Sequence, residues 1–450
     1  MDNPIEQTRG DEGVQQAEVA NELYIENPDE IPDDGKPPIF EFLTGMAGTG
    51  KTFEIQRRIR EDPRYAVLAA STGIAAVNLG AVTINSLLKY YDLESLRDNF
   101  TSGFLQVVLN KLCMDYRRIV IDEVSMLGGD SLDLIFEANQ NIRRPLGIVL
   151  TGDFCQLCPI KSKWAFQAEC WPYFEKNIQR LTKVWRQTDP QFLEALSMIR
   201  YGKGFDGVKL LQEHGQVKFE NHNDTHFDGT TVMSKNDQVN NFNKLALDQL
   251  PGKDIAVRSL RWGKQDSGWK QVPEVLRMKI GAYVMILSNC PPDFPWANGD
   301  CGHVVDYQAG RFHIQLVRNQ QIVQIAPIVR RTVQKERPEG SDNCYLPDPK
   351  EPFTQRRPYL ALITERKKRW IMGEVMYYPL RIAYAATIHK TQGLSLDRVQ
   401  IDVRNPFFSK PAMAYVALSR GRTPEGIRIV GGADTLARRV NVAPEVVKWL

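Results

Sequence analysis

The eight residues from 45 to 52 constrain the fold more than any other part of the chain. They are Gly45, Met46, Ala47, Gly48, Thr49, Gly50, Lys51 and Thr52. Glycines at this spacing let backbone N–H groups curl around phosphate oxygens, and a helix that starts after them adds a favourable dipole. An apolar run at 39–43 precedes them and helix-compatible sequence follows. This context favours a phosphate loop over a chance glycine-rich turn, with Lys51 on the β- and γ-phosphates of ATP and Thr52 on Mg²⁺.

Polar residues also follow two later apolar runs. Asp122 and Glu123 come at the end of the run at 118–121, and Gln156 follows the run at 147–150. In a parallel sheet such residues emerge at the carboxyl edge, beside the phosphate loop. Asp122 is then expected to hold Mg²⁺ through water, Glu123 to orient and deprotonate the attacking water, and Gln156 to sense the γ-phosphate. Taken alone they would be ordinary surface residues, but their position downstream of the loop favours catalysis.

Short apolar runs alternate with helix-compatible segments, which predicts an α/β fold with parallel sheets. One set of runs lies at 39–43, 65–69, 118–121 and 147–150, and a second at 230–233, 380–384, 399–403 and 427–430. Within the second set, residues 273–374 contain alternating segments and many Pro and Gly residues. This region is predicted to be a small β domain inserted into a second α/β domain. The length of 450 residues suits two to four domains.

The charge of the chain is unevenly distributed. Eleven acidic and two basic residues lie among the first 36, so the other 414 residues carry a net charge of +12. A basic body suits a polyanionic partner, although mildly basic solvated surfaces are common. Residues 1–36 are predicted to form a flexible acidic arm and are a candidate binding segment for a partner protein.

Cysteine usage and hydropathy predict a protein that lies in a reducing compartment and does not span a membrane. The seven cysteines are mostly far apart, and Cys155 and Cys158 have CxxC spacing without a second pair at zinc-site distance. No apolar run reaches the length of a membrane span, and the first residues lack a signal-peptide pattern. The expected location is the cytoplasm of a bacterial or phage-infected cell, or the nucleus or mitochondrion of a eukaryote.

Seven segments in a fixed order give the chain a specific resemblance. It resembles the Pif-type helicases of superfamily 1B, which are relatives of the Dda and RecD motors. The matching segments are residues 45–52 (motif I), 71–86 (Ia), 122–127 (II), 152–157 (III), 181–187 (IV), 388–393 (V) and 415–420 (VI). Asn85 stands where the family has a histidine, Cys158 where it has a proline, and no adenine-reading glutamine stands at the usual distance upstream of Lys51.

The resemblance implies two RecA-like lobes with ATP bound between them. It assigns Arg186 and Arg420 to the γ-phosphate, where a guanidinium from across the cleft stabilises transition-state charge, and it adds Gln392 of motif V to the nucleotide-binding residues. It also implies a single-stranded DNA track that contacts phosphates without reading bases. The residues assigned to this track are Thr72, Thr83, Ser86, His389 and Lys390. His389 fits a buried core histidine equally well.

The expected organisation follows the same resemblance. It comprises an acidic arm (1–36), a first lobe (37–185) with a small duplex-parting subdomain near 89–115, a second lobe (186–272 and 375–450), and an inserted β domain (273–374) that resembles an SH3-like domain. The expected function is an ATP-dependent DNA helicase that moves 5′ to 3′ on single-stranded DNA and acts at single/double-strand junctions. A DNA translocase that does not unwind duplex is the main alternative, and a binding scaffold with an inactive nucleotide site is disfavoured by the intact motifs.

Overall fold

The computed structural model describes residues 37–449 with some gaps. The gaps are residues 80, 160–161, 222–226, 266–268, 270–271, 289–295, 297–298, 335–336, 340, 342–344 and 365–366. The predicted acidic arm at 1–36 lies outside the described residues. Residues 240–385 form one compact unit, and the described residues before and after them form a second unit. We call these the β unit and the α/β unit.

The first part of the α/β unit is built on a six-stranded parallel sheet. Its strands are β1 (Phe40–Gly45), β2 (Val67–Ala70), β3 (Val82–Thr83), β4 (Arg118–Asp122), β5 (Gly147–Gly152) and β6 (Ile178–Leu181). Its helices are α1 (Lys51–Glu61), α2 (Gly73–Leu79), α3 (Ile84–Leu87), α4 (Leu93–Thr101), α5 (Phe104–Asp115), α6 (Gly129–Gln140) and α7 (Trp171–Glu175). The strand order is β3-β2-β4-β5-β1-β6, and every neighbouring pair is parallel.

Helix α1 holds the phosphate loop against this sheet. Ile55 and Ile59 are four residues apart and therefore lie on one helix face. Both are buried against Leu43, Val120 and Val149 of the three central strands β1, β4 and β5. Because these strands are parallel and adjacent, their carboxyl ends place the phosphate loop, the acidic pair and motif III along one edge.

The chain continues through α8 (Pro190–Arg200), α9 (Gly204–His214), β7 (Lys218–Glu220), β8 (Thr230–Met233) and α10 (Asn236–Gln249) into the β unit. The strands of that unit are β9 (Ile255–Arg258), β10 (Leu260–Gly263), β11 (Val275–Met278), β12 (Tyr283–Ile286), β13 (Cys301–Gln308), β14 (Arg311–Leu316), β15 (Ile322–Ile325), β16 (Ile328–Gln334), β17 (Tyr359–Thr364), β18 (Lys367–Tyr377) and β19 (Leu380–Ile382). They form antiparallel sheets with orders β15-β14-β13-β12-β19, β10-β18-β16 and β11-β9, and β17 also pairs with β18. A β insertion in an α/β fold was predicted from the sequence.

After the β unit the chain returns to the second α/β sheet. Its remaining elements are β20 (Ala385–Thr387), α11 (Ile388–Thr391), β21 (Val399–Asp402), α12 (Met413–Leu418), β22 (Ile427–Val430), α13 (Ala433–Arg439) and α14 (Pro444–Trp449). The sheet has the order β20-β8-β21-β22-β7 and so combines strands from both sides of the insertion. The α/β fold class with two RecA-like sheets is therefore confirmed.

One predicted strand lies in a different sheet. The run at 380–384 was expected in the second parallel sheet, but Leu380 and Ile382 pair antiparallel with Ile286 and Val284 of β12. The adjacent β20 takes the place beside β8 instead. An apolar run predicts a buried strand but does not predict which strand it pairs with. The limits of the insertion also differ from the prediction, because β10 pairs with β18 and the β unit therefore extends beyond 273 and 374.

Candidate nucleotide site

The phosphate loop has the backbone geometry that its sequence predicts. Gly48 and Gly50 have φ of 82° and 83°, a left-handed conformation that side chains disfavour. Gly50 is the N-cap of α1, so the first free amides of this helix face the loop. The Lys51 ammonium donates to the carbonyl oxygens of Gly45 at 2.8 Å and Met46 at 3.0 Å. The lysine is therefore held inside the loop, where phosphate oxygens would bind.

Motif IV packs directly against this loop. The Trp185 amide donates to the Gly48 carbonyl at 2.8 Å, and a Cβ added at Gly48 would lie only 2.6 Å from the Arg186 Cβ. The Trp185 ring is 66% exposed, and the Lys183 ammonium lies 3.6 Å from its centroid. The sequence predicted that Arg186 binds the nucleotide, and this packing places the Arg186 Cβ next to Gly48 of the phosphate loop.

Asp122 has the surroundings of a magnesium-holding residue. Thr52 Oγ1 donates to its Oδ2 at 3.1 Å, while its Oδ1 accepts from the Thr151 hydroxyl and from the Glu123 amide. A carboxylate and a hydroxyl that meet at one sheet edge are the hard oxygen ligands that Mg²⁺ prefers, with water completing the shell. The residues present therefore fit the metal that the motifs imply.

Glu123 is held in an unusual conformation beside Asp122. Its φ of 54° is left-handed, which costs about 1–3 kcal/mol in a non-glycine residue and is often found at functional sites. The Gln392 side-chain amide donates to Glu123 Oε2 at 3.0 Å. Burial and the neighbouring Asp122 charge raise the pKa of Glu123 to about 7, which is the value expected of a general base near neutral pH.

The two predicted arginines are held by carbonyl and hydroxyl oxygens of α12, of its C-cap Ser419 and of Ser395. Arg420 donates to Val416 O at 2.9 Å and to Ser419 Oγ at 2.8 Å. Arg186 donates to Ser395 Oγ at 2.8 Å and to Ser419 O at 3.0 Å. Burial and the Arg420 charge lower the pKa of Arg186 to about 9. Both guanidinium groups bond to Ser419, and two neighbouring cations favour the binding of a polyanion.

The charges of the site are electrostatically coupled. Burial lowers the pKa of Lys51, and the carboxylates of Asp153, Glu123 and Asp122 oppose that shift. Burial also lowers the pKa of Arg420, against the influence of Glu123. The structure thus brings together the predicted catalytic residues of motifs I, II, IV and VI.

Motif III forms a buried network around Asp153. Arg200 Nη2 and Nε donate to the Asp153 carboxylate at 2.7 and 3.2 Å. Gln156 is buried and its amide lies 3.5 Å from Asp153 Oδ2. Although burial would raise the pKa of Asp153, the Arg200 charge holds it below its usual value. The predicted sensor Gln156 is therefore attached to an ionised carboxylate.

Several residues of the site were not predicted from the sequence. The Gln187 amide donates to Ser419 O at 3.2 Å and Gly421 O at 2.7 Å, the carbonyls on either side of Arg420. Ser71 Oγ donates to Glu123 O at 2.6 Å. Both residues lie inside recognised motifs, which was the available signal. Arg200 lies in the last turn of α8, where no motif identified it.

The predicted DNA-track residues lie at helix starts. Thr72 Oγ1 accepts from the Ala75 amide at 3.2 Å, and Thr83 Oγ1 accepts from the Ser86 amide at 3.1 Å as the N-cap of α3. Because Ala70 of β2 pairs with Thr83 of β3, Thr83 lies at the same sheet edge as Thr72, which follows β2. Each hydroxyl keeps its own proton for another acceptor. The capping contacts leave the DNA assignment a prediction.

His389 and Lys390 lie in α11, directly after β20. The Lys390 amide donates to Thr387 Oγ1 at 3.3 Å. Burial, followed by the Lys410 charge, lowers the pKa of His389, so its imidazole is neutral at physiological pH. A neutral ring serves as a hydrogen-bonding group or as a core residue, and both interpretations of His389 stay open.

The CxxC pair does not belong to a recognisable metal cluster. Cys155 is buried, and burial followed by the Asp153 charge raises the pKa of its thiol to about 12. Across the described ranges, no group of three or more His, Cys, Asp or Glu side chains could hold a metal ion. In the same ranges no helix has the length and apolarity to cross a membrane.

A phosphate loop, an acidic pair and two arginines around one cleft define a two-lobed P-loop motor ATPase of superfamily 1. Residues 36–222 match the AAA domain family. An ATP-dependent DNA helicase Pif1 from Bdellovibrio bacteriovorus is 30% identical over 429 residues, which cover 91% of this chain and 87% of the relative. The chain therefore belongs to the Pif1 helicase family. It spans only 58% of the length of the ATP-dependent DNA helicase PIF1 from Xenopus laevis, to which it is 28% identical.

Solved structures show the same fold. A Pif1 helicase from Bacteroides matches with a TM-score of 0.70 and 24% identity over 93% of each chain. A Bacteroides Pif1 bound to single-stranded DNA matches with a TM-score of 0.54 and 25% identity, over 91% of this chain and 92% of that one. Both matches extend over most of this chain.

Proposed function

We propose that the chain is an ATP-dependent DNA helicase that moves 5′ to 3′ along single-stranded DNA and unwinds duplex ahead of it. The observation that carries this proposal is the 3.0 Å hydrogen bond from Gln392 to Glu123. Glu123 ends the strand that carries motif II, whereas Gln392 follows the motif V helix that also carries the proposed DNA contacts. The hydrolytic carboxylate is thereby connected to the segment that would hold the strand.

Each charged group of the site has a role in this reaction. Lys51 neutralises the β- and γ-phosphates, and Thr52 and Asp122 hold Mg²⁺, which supplies charge stabilisation to the phosphates when bound. Glu123 orients water and accepts its proton, because a carboxyl group with a pKa near 7 is about half ionised at neutral pH and its ionised form is basic enough to take the proton. Gln156 senses the γ-phosphate, and Arg186 and Arg420 stabilise the charge that develops during transfer.

Single-stranded DNA is the proposed track. Thr72, Thr83, Ser86 and Lys390 offer hydroxyl and ammonium groups that bind phosphates regardless of base sequence. In Bacteroides Pif1, the homologous fold binds single-stranded DNA. Junctions between single and double strands are the proposed site of unwinding, and a protein partner for residues 1–36 stays a prediction.

The helical subdomain near 89–115 is the proposed separator of the two strands. It contains α4 and α5, and α4 begins with a capping box in which Asp92 accepts from the Ser95 amide at 2.9 Å. Tyr91 precedes this cap and is 93% exposed. An exposed aromatic ring on a fixed helix start is suited to stack on a base at the point where a pair opens.

Unwinding of tailed substrates tests the proposal. We expect strand displacement from a duplex with a 5′ single-stranded tail and little from a blunt or 3′-tailed duplex, with activity falling as salt rises because phosphates dominate the contacts. The Lys51→Ala variant is the control for ATP dependence. Exclusive unwinding of the 3′-tailed duplex would contradict the direction and leave the ATPase assignment intact.

The alternative, translocation without unwinding, has its own measurement. Displacement of streptavidin from an end-biotinylated single strand reports translocation alone. Strong displacement of streptavidin together with intact tailed duplex would favour the translocase. Tyr91→Ala should reduce unwinding more than streptavidin displacement, while Tyr91→Phe, which keeps the stacking ring, should retain both.

A further inference from the structure

The Tyr415 side chain reaches from α12 into the nucleotide site. Its residue is only 2% exposed. The Ala47 amide of the phosphate loop donates to the Tyr415 hydroxyl at 3.1 Å, and that hydroxyl lies 3.5 Å from Asp153 Oδ2. One phenolic oxygen therefore contacts motif I and motif III from a helix of motif VI.

The direction of these hydrogen bonds is fixed by the chemistry of the partners. A backbone amide can only donate, so the hydroxyl accepts from Ala47 and must direct its own proton elsewhere. Asp153 is the acceptor, because the Arg200 ion pair keeps its carboxylate ionised. Burial, followed by the Asp153 charge, raises the pKa of Tyr415, so the phenol keeps the proton that it donates.

The same helix turn holds the catalytic arginine. The Ser419 amide donates to Tyr415 O at 2.9 Å, and the Arg420 guanidinium donates to Val416 O at 2.9 Å. Arg420 is itself only 1% exposed. A displacement of the phosphate loop at Ala47 would act on the Tyr415 hydroxyl and, through one turn of α12, on the position of Arg420.

We propose that Tyr415 is a positioning residue that couples the conformation of the phosphate loop to the placement of Arg420. The Tyr415 hydroxyl is bonded to the loop backbone at Ala47, and the last turn of α12 connects Tyr415 to Arg420. A shift of the loop backbone therefore shifts the guanidinium of Arg420. The inference rests on the proposed ATPase function. Tyr415 itself does not touch the reacting atoms, and Asp153 and Arg200 act as the fixed anchor against which the hydroxyl is held.

The test removes one oxygen atom. Tyr415→Phe keeps the buried ring but leaves the Ala47 amide and the Asp153 carboxylate without the hydroxyl. Tyr359→Phe is the matched control, because it also removes a buried phenol that donates to a carboxylate, Glu374, at 3.0 Å, but within the β unit. DNA-stimulated ATP turnover, the KM for ATP and the melting temperature are measured for wild type and both variants.

We expect Tyr415→Phe to lower kcat by about tenfold or more, the size of one functional hydrogen bond expressed in rate. Its KM should change by less than about threefold, because binding the ground state does not need the arginine in place. Tyr359→Phe should lower the melting temperature by a similar amount and leave kcat within about twofold. A kcat within about twofold of wild type for Tyr415→Phe would overturn the proposal, and so would a loss confined to KM or a loss of ATP binding.

A double-mutant comparison tests whether the effect passes through Arg420. In single-turnover reactions, Tyr415→Phe should cause little further loss in an Arg420→Ala background, because two residues that act as one unit are not additive. The same fold-loss in both backgrounds would show that Tyr415 acts independently and would contradict the coupling. Absence of DNA-stimulated turnover in the wild-type chain would instead refute the proposed function itself.

Discussion

Two glutamates, one in each unit, show how the same side chain serves chemistry or stability. Glu374 of the β unit is 1% exposed. Its carboxylate accepts four hydrogen bonds of 2.9–3.1 Å. The donors are Trp262 Nε1, Arg331 Nε, Arg356 Nη1 and the Tyr359 hydroxyl. Because they come from β10, β16, β17 and the segment before β17, Glu374 joins separate parts of the β unit through one charge.

Glu123 of the α/β unit is arranged differently. Among the described residues its carboxylate receives one side-chain donor, Gln392, and it lies beside the like charge of Asp122. A carboxylate with few donors next to a like charge favours its protonated form and can serve as a base near neutral pH. The carboxylate of Glu374 is instead held in place by four donors, two of them arginines. The number and charge of the donors therefore separate the reactive glutamate from the structural one.

The largest expected effect comes from the cation that faces Glu123. Lys51→Ala should abolish ATP turnover and leave the melting temperature nearly unchanged, since the lysine bonds only to loop carbonyls at 2.8 and 3.0 Å and serves to neutralise phosphate charge. Steady-state ATPase assays and thermal unfolding measure both. Wild-type turnover in this variant would remove the nucleotide-site assignment and with it the contrast between the two glutamates.

Arg420→Ala should reduce DNA-stimulated kcat by about 10³-fold, with a much smaller change in ATP affinity. An arginine that acts on developing charge contributes mainly in the transition state. Single-turnover hydrolysis and equilibrium binding of a fluorescent ATP analogue separate the two quantities. A loss of affinity alone would mean that Arg420 binds the ground state.

Glu123→Gln should lower kcat by about 10²-fold or more and preserve Mg-ATP binding, because the amide keeps the shape but cannot accept the proton of water. The binding and turnover assays used for Arg420 apply here. Loss of binding with normal turnover per bound ATP would identify Glu123 as a ligand-holding residue and would break the comparison with Glu374.

The pH dependence should sharpen the same contrast. The pKa of Glu123 is raised to about 7, so its carboxyl is protonated and inactive as a base below that pH and ionised above it. The kcat/KM is therefore expected to rise about tenfold per pH unit below about pH 6 and to level off above about pH 8. A flat profile between these values would show that Glu123 is ionised throughout.

Glu374→Gln should have the smallest effect on turnover and a clear effect on stability. Replacing the carboxylate breaks the ion pairs of Glu374 with Arg331 and Arg356, and breaking buried ion pairs costs about 3–5 kcal/mol of unfolding free energy. Denaturant unfolding measures this loss, and kcat at a temperature well below melting should stay within about twofold. A fall in kcat comparable to that of Glu123→Gln would mean that the two carboxylates do not differ in role.

The sequence predicted the parts of the molecule that are local in the chain. The phosphate loop is eight consecutive residues between a strand and a helix, and Asp122 and Glu123 directly follow a strand, so spacing alone identified them. The β strands of the insertion also followed from local alternation, whereas their antiparallel pairing is seen only in the structure. The partner of the run at 380–384 did not, because the strand pairs with β12 across a long insertion.

What the tertiary structure decided is which distant groups meet. Arg200 bonds to Asp153, which is 47 residues away in the chain, and Tyr415 bonds to the Ala47 amide, which is 368 residues away. The local sequence around these residues does not encode these hydrogen bonds, because they depend on how whole sheets and helices pack. The sequence by itself determined that this chain has a nucleotide-hydrolysing site of the Pif1 helicase type. The packing alone determined which of its buried charges are held fixed and which are left free to react.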